Sequence, residues 1–494
     1  MKRKLAFFLA IMMAAMLLAA CAQDEKAPVK DTLILGTIMD VNSFAPVERA
    51  SAGDTLLHRA IYMHLFYIDY PSRELKSEAC SDMVISDDAT TITFTIKDNI
   101  TFHNGEKLTV EDVVYSIEAC KITPSLMTWS MNIDTVTALD DKTVQLKLLT
   151  PGADFMYVGE IPLMHKATTE AAGESFRDAP VGCGPYKLVK HEPGYQVTLE
   201  AFDDYVMGKP YFNTLIYRVI SDPTAALMAL EAGDIDAMQV TTYSDLDDIM
   251  SNEKLSVHTV SYGLDALVFN NRTAPYDDAN VRLALNYAID KERCSEVMYE
   301  TLPSVATSHI SVIKDDRLTG YPHDLEKAKE YLALAGFPGG EGFPDVVIET
   351  VDSYKVYAQV IQNNFQELGL NASVQISEAN AFVGRLMTGD VPVGFISFGL
   401  GFQPSQYTST LMTDGPFNFS GYGSAEVDQL FAAAAQEIDD AKRHDLYVEA
   451  CLLLEKDAPY GLIGYQQILF VYNSNLVVDQ WCETFLLPQY TRMK

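Results

Sequence analysis

The hydrophobic and polar positions of the chain follow two periods, and the first part mostly follows that of a β-strand. Residues 32–38, TLILGTI, form a short apolar run between polar residues, which is typical of a buried strand. Residues 90–98, TTITFTIKD, alternate apolar and polar side chains, which predicts a strand with one buried face. Thr109 and Asp112 form a capping-box pair, which predicts the start of a helix. The first part of the chain is therefore expected to be mixed and rich in strands.

In the middle of the chain, helical and strand patterns alternate. ALVFNN, residues 266–271, predicts a strand, and Asp278 is placed to cap the helix that follows it. Asp324 begins another helix, and strand, helix and strand patterns then continue to residue 377. Such alternation is typical of a parallel or mixed α/β sheet.

The last third of the chain leaves this pattern and then returns to it. Two long helical patterns near 425–438 and 440–457 precede APYGLIGYQQILFVYN, which is again typical of a strand. A chain that folds part of one domain, then forms a second domain and finally returns to the first is expected to have two lobes joined by two strands.

The first residues have the features of an export signal. Residues 2–4 are basic, and the apolar run 5–18 is shorter than the roughly 20 residues of a membrane span. It fits a signal peptide over residues 1–20. The run ends in LAAC, which resembles a bacterial lipobox, where the sulfur of the cysteine, here Cys21, carries the lipid. Residues 21–30 would then be a flexible tether. The alternative is a plain signal peptide with a cysteine nearby.

Charge and hydropathy narrow the possible partners. No later segment has 18 consecutive apolar residues, so we expect a mature chain that is soluble outside the cytoplasm and membrane-bound through its lipid. The formal net charge of −32 repels phosphate backbones, which argues against nucleic acid as a partner.

Cysteine spacing gives no sign of a metal or redox centre. Because no C-x-x-C pair occurs, metal ligation is not expected. We expect mostly buried free thiols, and one or two disulfides remain open in an exported chain. The cysteines other than Cys21 are Cys80, Cys120, Cys183, Cys294, Cys451 and Cys482.

Four stretches resemble one protein family along the whole mature chain. They are residues 85–118, 181–236, 270–292 and 324–338, of which 181–236, beginning VGCGPYKLVKHEPGYQV, is the most specific. These stretches resemble solute-binding family 5, the extracytoplasmic proteins that serve ABC transporters for oligopeptides, dipeptides and nickel.

The resemblance implies an α/β fold of the periplasmic-binding-protein type, class II, with two lobes and an extra subdomain on lobe I. Two hinge strands, ALVFNN and GYQQILF, would join the lobes. The implied division is 31–265 plus 468–494 for lobe I, about 50–180 for its subdomain, and 270–464 for lobe II.

The function implied by the resemblance is solute capture for an ABC importer. The lobes would close on a peptide or similar solute, and the loaded monomer would meet the transmembrane subunits of a permease. No cofactor is implied. A secreted enzyme is the rival class, and the chain has neither H-E-x-x-H nor G-x-S-x-G. A surface chaperone or signalling receptor on the same lobes is a third possibility.

The candidate ligand site departs from the family pattern. Peptide-binding relatives carry a tryptophan and, three residues later, an aspartate that pairs with the ligand's ammonium group. Depending on the alignment, Ser397 and Leu400 or Phe398 and Gly401 take those places, and residues 391–413 contain no Asp or Glu. A buried ammonium without a carboxylate is costly. The ligand is therefore a peptide held by a carboxylate from elsewhere, a neutral or anionic solute such as a sugar or modified peptide, or a metal chelate.

The remaining candidates come from loops where relatives contact their ligands. The candidate ligand-binding residues are Asn42, Ser43, Phe44, Trp129, Ser397, Phe398, Gly399, Leu400, Gly401 and Phe402.

Overall fold

A computed structural model describes most of the 494-residue chain. The described residues are 30–48, 52–69, 74–122, 130, 132–155, 161–240, 246–299, 302, 304–399, 401, 403–481 and 486–494. The signal peptide, the tether with Cys21, and the candidates Trp129, Leu400 and Phe402 lie outside them.

The described residues form a chain of alternating strands and helices. The strands are β1 Thr32–Thr37, β2 Phe66–Asp69, β3 Glu74–Ser77, β4 Cys80–Ile85, β5 Thr91–Ile96, β6 Ile133–Ala138, β7 Thr143–Leu148, β8 Tyr186–Glu192, β9 Gln196–Ala201, β10 Thr214–Val219, β11 Ala237–Val240, β12 Leu255–Phe269, β13 Val346–Thr350, β14 Ala372–Ile376, β15 Val393–Phe398, β16 Tyr460–Asn473, β17 Leu476–Val478 and β18 Thr491–Met493. The α-helices are α1 Ala52–Ile61, α2 Val110–Lys121, α3 Lys166–Ala172, α4 Pro223–Ala232, α5 Leu246–Ser251, α6 Ala279–Ala288, α7 Lys291–Tyr299, α8 Leu325–Leu334, α9 Lys355–Glu367, α10 Ala379–Thr388, α11 Thr408–Leu411, α12 Ala425–Gln436 and α13 Asp440–Asp457.

Most helix starts follow the predicted local signals. Thr109 and Asp112 form the predicted capping box of α2, whose inner face buries Val113, Ile117 and Cys120. The side chains of Asp278 and Asp324 accept backbone N–H groups at the starts of α6 and α8, as predicted. These short-range signals satisfy the backbone donors that a helix start leaves without partners.

One ten-stranded sheet runs through the molecule in the order β14-β13-β15-β12-β16-β11-β1-β10-β9-β8. β12 and β16 are long antiparallel strands that pair with each other at its centre; β12 also pairs with β15 on one side, and β16 pairs with β11 on the other. β1 lies parallel to β10 and β11, and β13 lies parallel to β14 and β15. Two parallel groups of strands are therefore joined by the central antiparallel pair.

The strand predicted at 266–271 is part of a longer one. β12 begins at Leu255 and ends at Phe269, so that the two asparagines after it lie outside the strand. The side chain of Asn271 donates to the carbonyl oxygens of Ser420 and Pro459, which fixes the turn after β12. The sequence pattern missed the first half of β12 because a bulge at residues 262–265 interrupts the alternation.

A separate four-stranded antiparallel sheet, in the order β4-β5-β7-β6, has its own hydrophobic core. Ile92, Phe94 and Ile96 of β5 point into this core, while the residues between them are half-buried. The inner face of α2 covers the same core. The predicted alternation of residues 90–98 is confirmed.

The described cysteines are buried. Cys80, Cys183, Cys294 and Cys451 are free thiols, Cys120 lies on the buried face of α2, and Cys482 lies outside the described residues. Burial raises the pKa of each of the four free thiols to about 12, so they stay protonated near neutral pH. Among the helices that the structure describes, none combines the length and apolar character needed to span a bilayer.

Candidate functional site

The registers of the large sheet direct the two groups of parallel strands towards each other. β11 ends at Val240, level with Thr259 of β12. β15 approaches from the opposite direction, and its last residue, Phe398, pairs with Leu264. The gap between Thr259 and Leu264 spans about 16 Å of strand. The carboxyl ends of both groups therefore lie level with the same segment of β12, β15 directly beside it and β11 on the far side of β16.

The loops at these carboxyl ends form one candidate region. Residues 38–45 follow β1, residues 351–354 follow β13, and the described residues 399, 401 and 403 follow β15. We call these three loops the strand-end region. In open α/β sheets, ligands bind beside the carboxyl ends of the strands, where the connections diverge. The strand-end region is accordingly where a ligand is expected.

A glycine at the bulge allows the close approach of β15 to β12. Gly263 has φ +65°, a left-handed conformation that side chains disfavour. A Cβ atom at this position would overlap the carbonyl oxygen of Phe398. The backbone at the centre of the sheet therefore depends on the absence of a side chain.

The loop after β15 is a glycine turn closed by a glutamine. Gly401 has φ +88°, and a Cβ atom there would overlap the side chain of Gln406. The Gln406 side chain accepts the backbone N–H of Gln403 at 3.0 Å. Tyr407, which follows this turn, is fully buried, and its hydroxyl forms a hydrogen bond with the hydroxyl of Ser311.

Ser397 contacts a buried carboxylate that lies on the neighbouring strand. Its hydroxyl donates to Oδ1 of Asp265 at 2.6 Å. Oδ2 of Asp265 accepts the hydroxyls of Tyr299 at 2.8 Å and Tyr357 at 3.2 Å. Burial raises the pKa of Asp265, and these three hydrogen bonds oppose that rise.

Sequence reasoning missed Asp265 because its contact with Ser397 is made across strands. The register places Asp265 directly opposite Ser397, although 132 positions separate them in the sequence. The one available signal was an acidic residue inside the apolar run LDALVF.

Phe398, one of the candidate ligand-binding residues, is packed in the core. Its ring is 6% exposed, stacks on Phe419 with centroids 5.9 Å apart, and meets Tyr460 edge-on at 5.7 Å. Its neighbour Gly399 is exposed. On this side of the region, the half-buried Ser397 and the glycine backbone are thus the accessible candidates.

The loop after β1 exposes one of its three candidates. Ser43 and Phe44 are buried, and the carbonyl oxygen of Phe44 accepts the hydroxyl of Tyr62 at 2.9 Å. The hydroxyl of Ser43 accepts the backbone N–H of Ala45 at 3.1 Å. Asn42 is exposed, and its backbone N–H donates to Asp54. Asn42 is therefore the accessible candidate here.

A second buried carboxylate, Asp154, lies in the loop after β7, where this loop contacts the end of α12. The backbone N–H of Ala153 donates to the carbonyl oxygen of Ala435 at 2.9 Å. The adjacent Asp154 is 4% exposed, and its Oδ2 has no hydrogen-bond partner. Burial raises the pKa of Asp154, and nearby Ser405 and Arg443 oppose the rise. This contact joins distant parts of the chain beside the loop after β15.

Comparison with a solved structure defines the class of this fold. HbpA2 from Haemophilus parasuis superposes with a TM-score of 0.87 at 21% identity, over 94% of this chain and 100% of that one. The protein thus has the two-lobed α/β fold of periplasmic binding proteins, as predicted.

The family is established by a match over residues 74–419 to the bacterial extracellular solute-binding proteins, family 5. Heme-binding protein A of Haemophilus influenzae is 23% identical over 513 residues, covering 92% of this chain and 93% of the relative. Oligopeptide-binding protein AppA of Bacillus subtilis is 26% identical over 475 residues, covering 88% and 86%. The chain belongs to family 5 of the solute-binding proteins of ABC transporters, which confirms the resemblance.

Proposed function

We propose that this protein captures a peptide or similar small solute by lobe closure and delivers it to the permease of an ABC importer. The observation that carries the proposal is the convergence of two groups of parallel strands on residues 260–263 of β12. A solute held between the strand ends contacts both groups at once. It therefore stabilises whichever arrangement brings them together, by its difference in affinity for the two states.

The two long strands supply the connection that such a closure needs. β12 and β16 are paired along almost their whole length, and the pairing slips at residues 262–265. Bulges bend strands and increase their twist, so this position can absorb a change of angle between the two halves. The proposed division is 31–265 plus 468–494 and 270–464, with the subdomain near 50–180.

A peptide is the ligand class we favour, and a non-peptide solute is the alternative. The oligopeptide-binding relative supports a peptide. The absence of Asp and Glu from residues 391–413 favours a neutral or anionic solute or a chelate, unless another carboxylate takes the place of the missing one.

Anchoring and location complete the proposal. Family membership supports a place outside the cytoplasm. The lipid on Cys21 would hold the receptor close to its permease, on the outer face of a single membrane or on a periplasmic face. The proposed cycle contains no catalytic step, so the solute is delivered chemically unchanged.

Native mass spectrometry of protein purified without refolding tests this function. We expect a complex heavier than the chain by one small molecule, and the mass of that molecule distinguishes peptide, sugar and chelate. A portion that is unfolded, dialysed and refolded is the control and should lose the extra mass. Turnover of a panel of peptides and esters by the purified protein would contradict the proposal and favour an enzyme.

A further inference from the structure

Asp265 is a buried acid that hydroxyl groups surround. Its side chain is 1% exposed, and three hydroxyls, from Ser397, Tyr299 and Tyr357, lie within hydrogen-bond distance of its two oxygens. Among the ion pairs of the residues that the structure describes, none involves Asp265. A buried acid is usually paired with a cation, so this arrangement calls for an explanation.

The three hydroxyls favour the ionised form of the acid. A carboxylate only accepts hydrogen bonds, so all three hydroxyls can donate to it together. A protonated acid would donate its own proton to one of the three hydroxyls, which would then have to direct its proton to another acceptor. Neutral donors stabilise a buried anion without cancelling its charge, so the negative potential extends to nearby sites.

Ser397 lies between this charge and the strand-end region. It is the second-last residue of β15, and its side chain is half-buried, while Asp265 beneath it is closed to solvent. Because the Ser397 hydroxyl directs its proton to Asp265, its oxygen offers only lone pairs to a ligand. The half-buried Tyr354, in the loop after β13, forms a side-chain hydrogen bond with Ser397. This edge of the region thus presents an acceptor over a negative charge.

We infer that Asp265, acting through Ser397, makes this end of the strand-end region select ligands with a cationic or hydrogen-bond-donating group, such as the free ammonium of a peptide. The inference rests on the proposed function and specifies its ligand. Asp265 is a positioning residue, and Ser397 makes the contact. The carboxylate thus comes from a central strand of the sheet rather than from the loop after β15.

A purely structural role for Asp265 is the competing explanation. The acid lies at the bulge of β12 and bonds residues of α7, α9 and β15, so it also holds four elements together. A structural role predicts that its replacement lowers stability and weakens all ligands equally. The inference predicts that the preference between charged and neutral ligands changes.

The test compares two libraries of synthetic tripeptides, one with free amino termini and one N-acetylated, by calorimetry on the full mature chain. We expect the wild type to bind the free library at least about tenfold more tightly. Asp265→Asn and Ser397→Ala should reduce this ratio to about one. Tyr357→Phe is the matched control, since it removes a hydrogen bond to the same carboxylate without touching Ser397. Tyr299 and Ser397 still donate to Asp265 in this variant, so it should keep most of the ratio.

Each outcome bears on a different claim. Equal binding of both libraries by the wild type would overturn the inference and leave the receptor function intact. An unchanged ratio in Ser397→Ala, a half-exposed change that the fold should tolerate, would also overturn it, even if Asp265→Asn does not fold. Binding of neither library would overturn the peptide ligand, and the inference with it.

Discussion

At the residue scale, the buried carboxylates Asp265 and Asp154 make contacts that the sequence did not reveal. The sequence shows that residues 391–413 contain no aspartate or glutamate, but it does not show which carboxylate elsewhere could take that role. Asp265 reaches Ser397 through strand register, and Asp154 reaches Ser405 through the packing of distant segments. Such contacts depend on the tertiary fold, and local periodicity does not encode them.

The raised pKa of Asp154 gives a pH dependence with a definite sign. Burial is the largest cause, and the groups facing Asp154 are Ser405, Arg443 and Tyr447. An acid whose pKa is raised by folding contributes most below its unfolded pKa, near 4, and this contribution is lost as pH rises through the raised value. At neutral pH, the charge at Asp154 therefore destabilises its contact.

We expect Asp154→Asn to raise the melting temperature at pH 8, because the amide removes a buried charge. Towards pH 4 the difference from the wild type should shrink, since the native acid is then largely protonated. Thermal unfolding across this range measures both. A variant that is destabilised at pH 8 and regains the stability of the wild type at lower pH would show instead that attraction to Arg443 outweighs burial.

At the element scale, local signals predicted most helices and several strands. Capping residues such as Thr109, Asp278 and Asp324 act within one turn, so their effect is readable in the sequence. The length of β12 was not readable, because its two halves border different partners and a bulge separates them. The pattern of apolar and polar residues in β12 depends on which strands and helices pack against it, and the sequence does not identify these neighbours.

The bulge itself gives a prediction about Gly263. We expect Gly263→Ala to lower the free energy of unfolding by about 2 kcal/mol or more, because it adds a disfavoured φ and a collision with the Phe398 carbonyl. Urea unfolding measures the loss.

Gly194→Ala is the matched control for this change. Its φ is +73°, and no atom lies within 4 Å of the added Cβ. The substitution should therefore lower the free energy of unfolding only by the cost of the disfavoured φ, about 1 kcal/mol. Equal losses in the two variants would mean that β15 moves away from β12 at little cost.

At the scale of the whole molecule, two parallel groups of strands point towards one another across β12 and β16. The two-lobed fold was predicted from the return of the chain after its second body and from family resemblance, and the fold agrees with both. The direction of the strand ends follows only from the registers. This geometry is the basis for the proposed position of the ligand.

Small-angle X-ray scattering on one preparation tests the central claim most directly. The refolded, ligand-free protein is measured first, and the solute released during unfolding is then added back. If the lobes close on the solute, the radius of gyration should fall on addition and rise again after dialysis. Superimposable curves, with binding of the solute verified by native mass spectrometry, would contradict capture by closure.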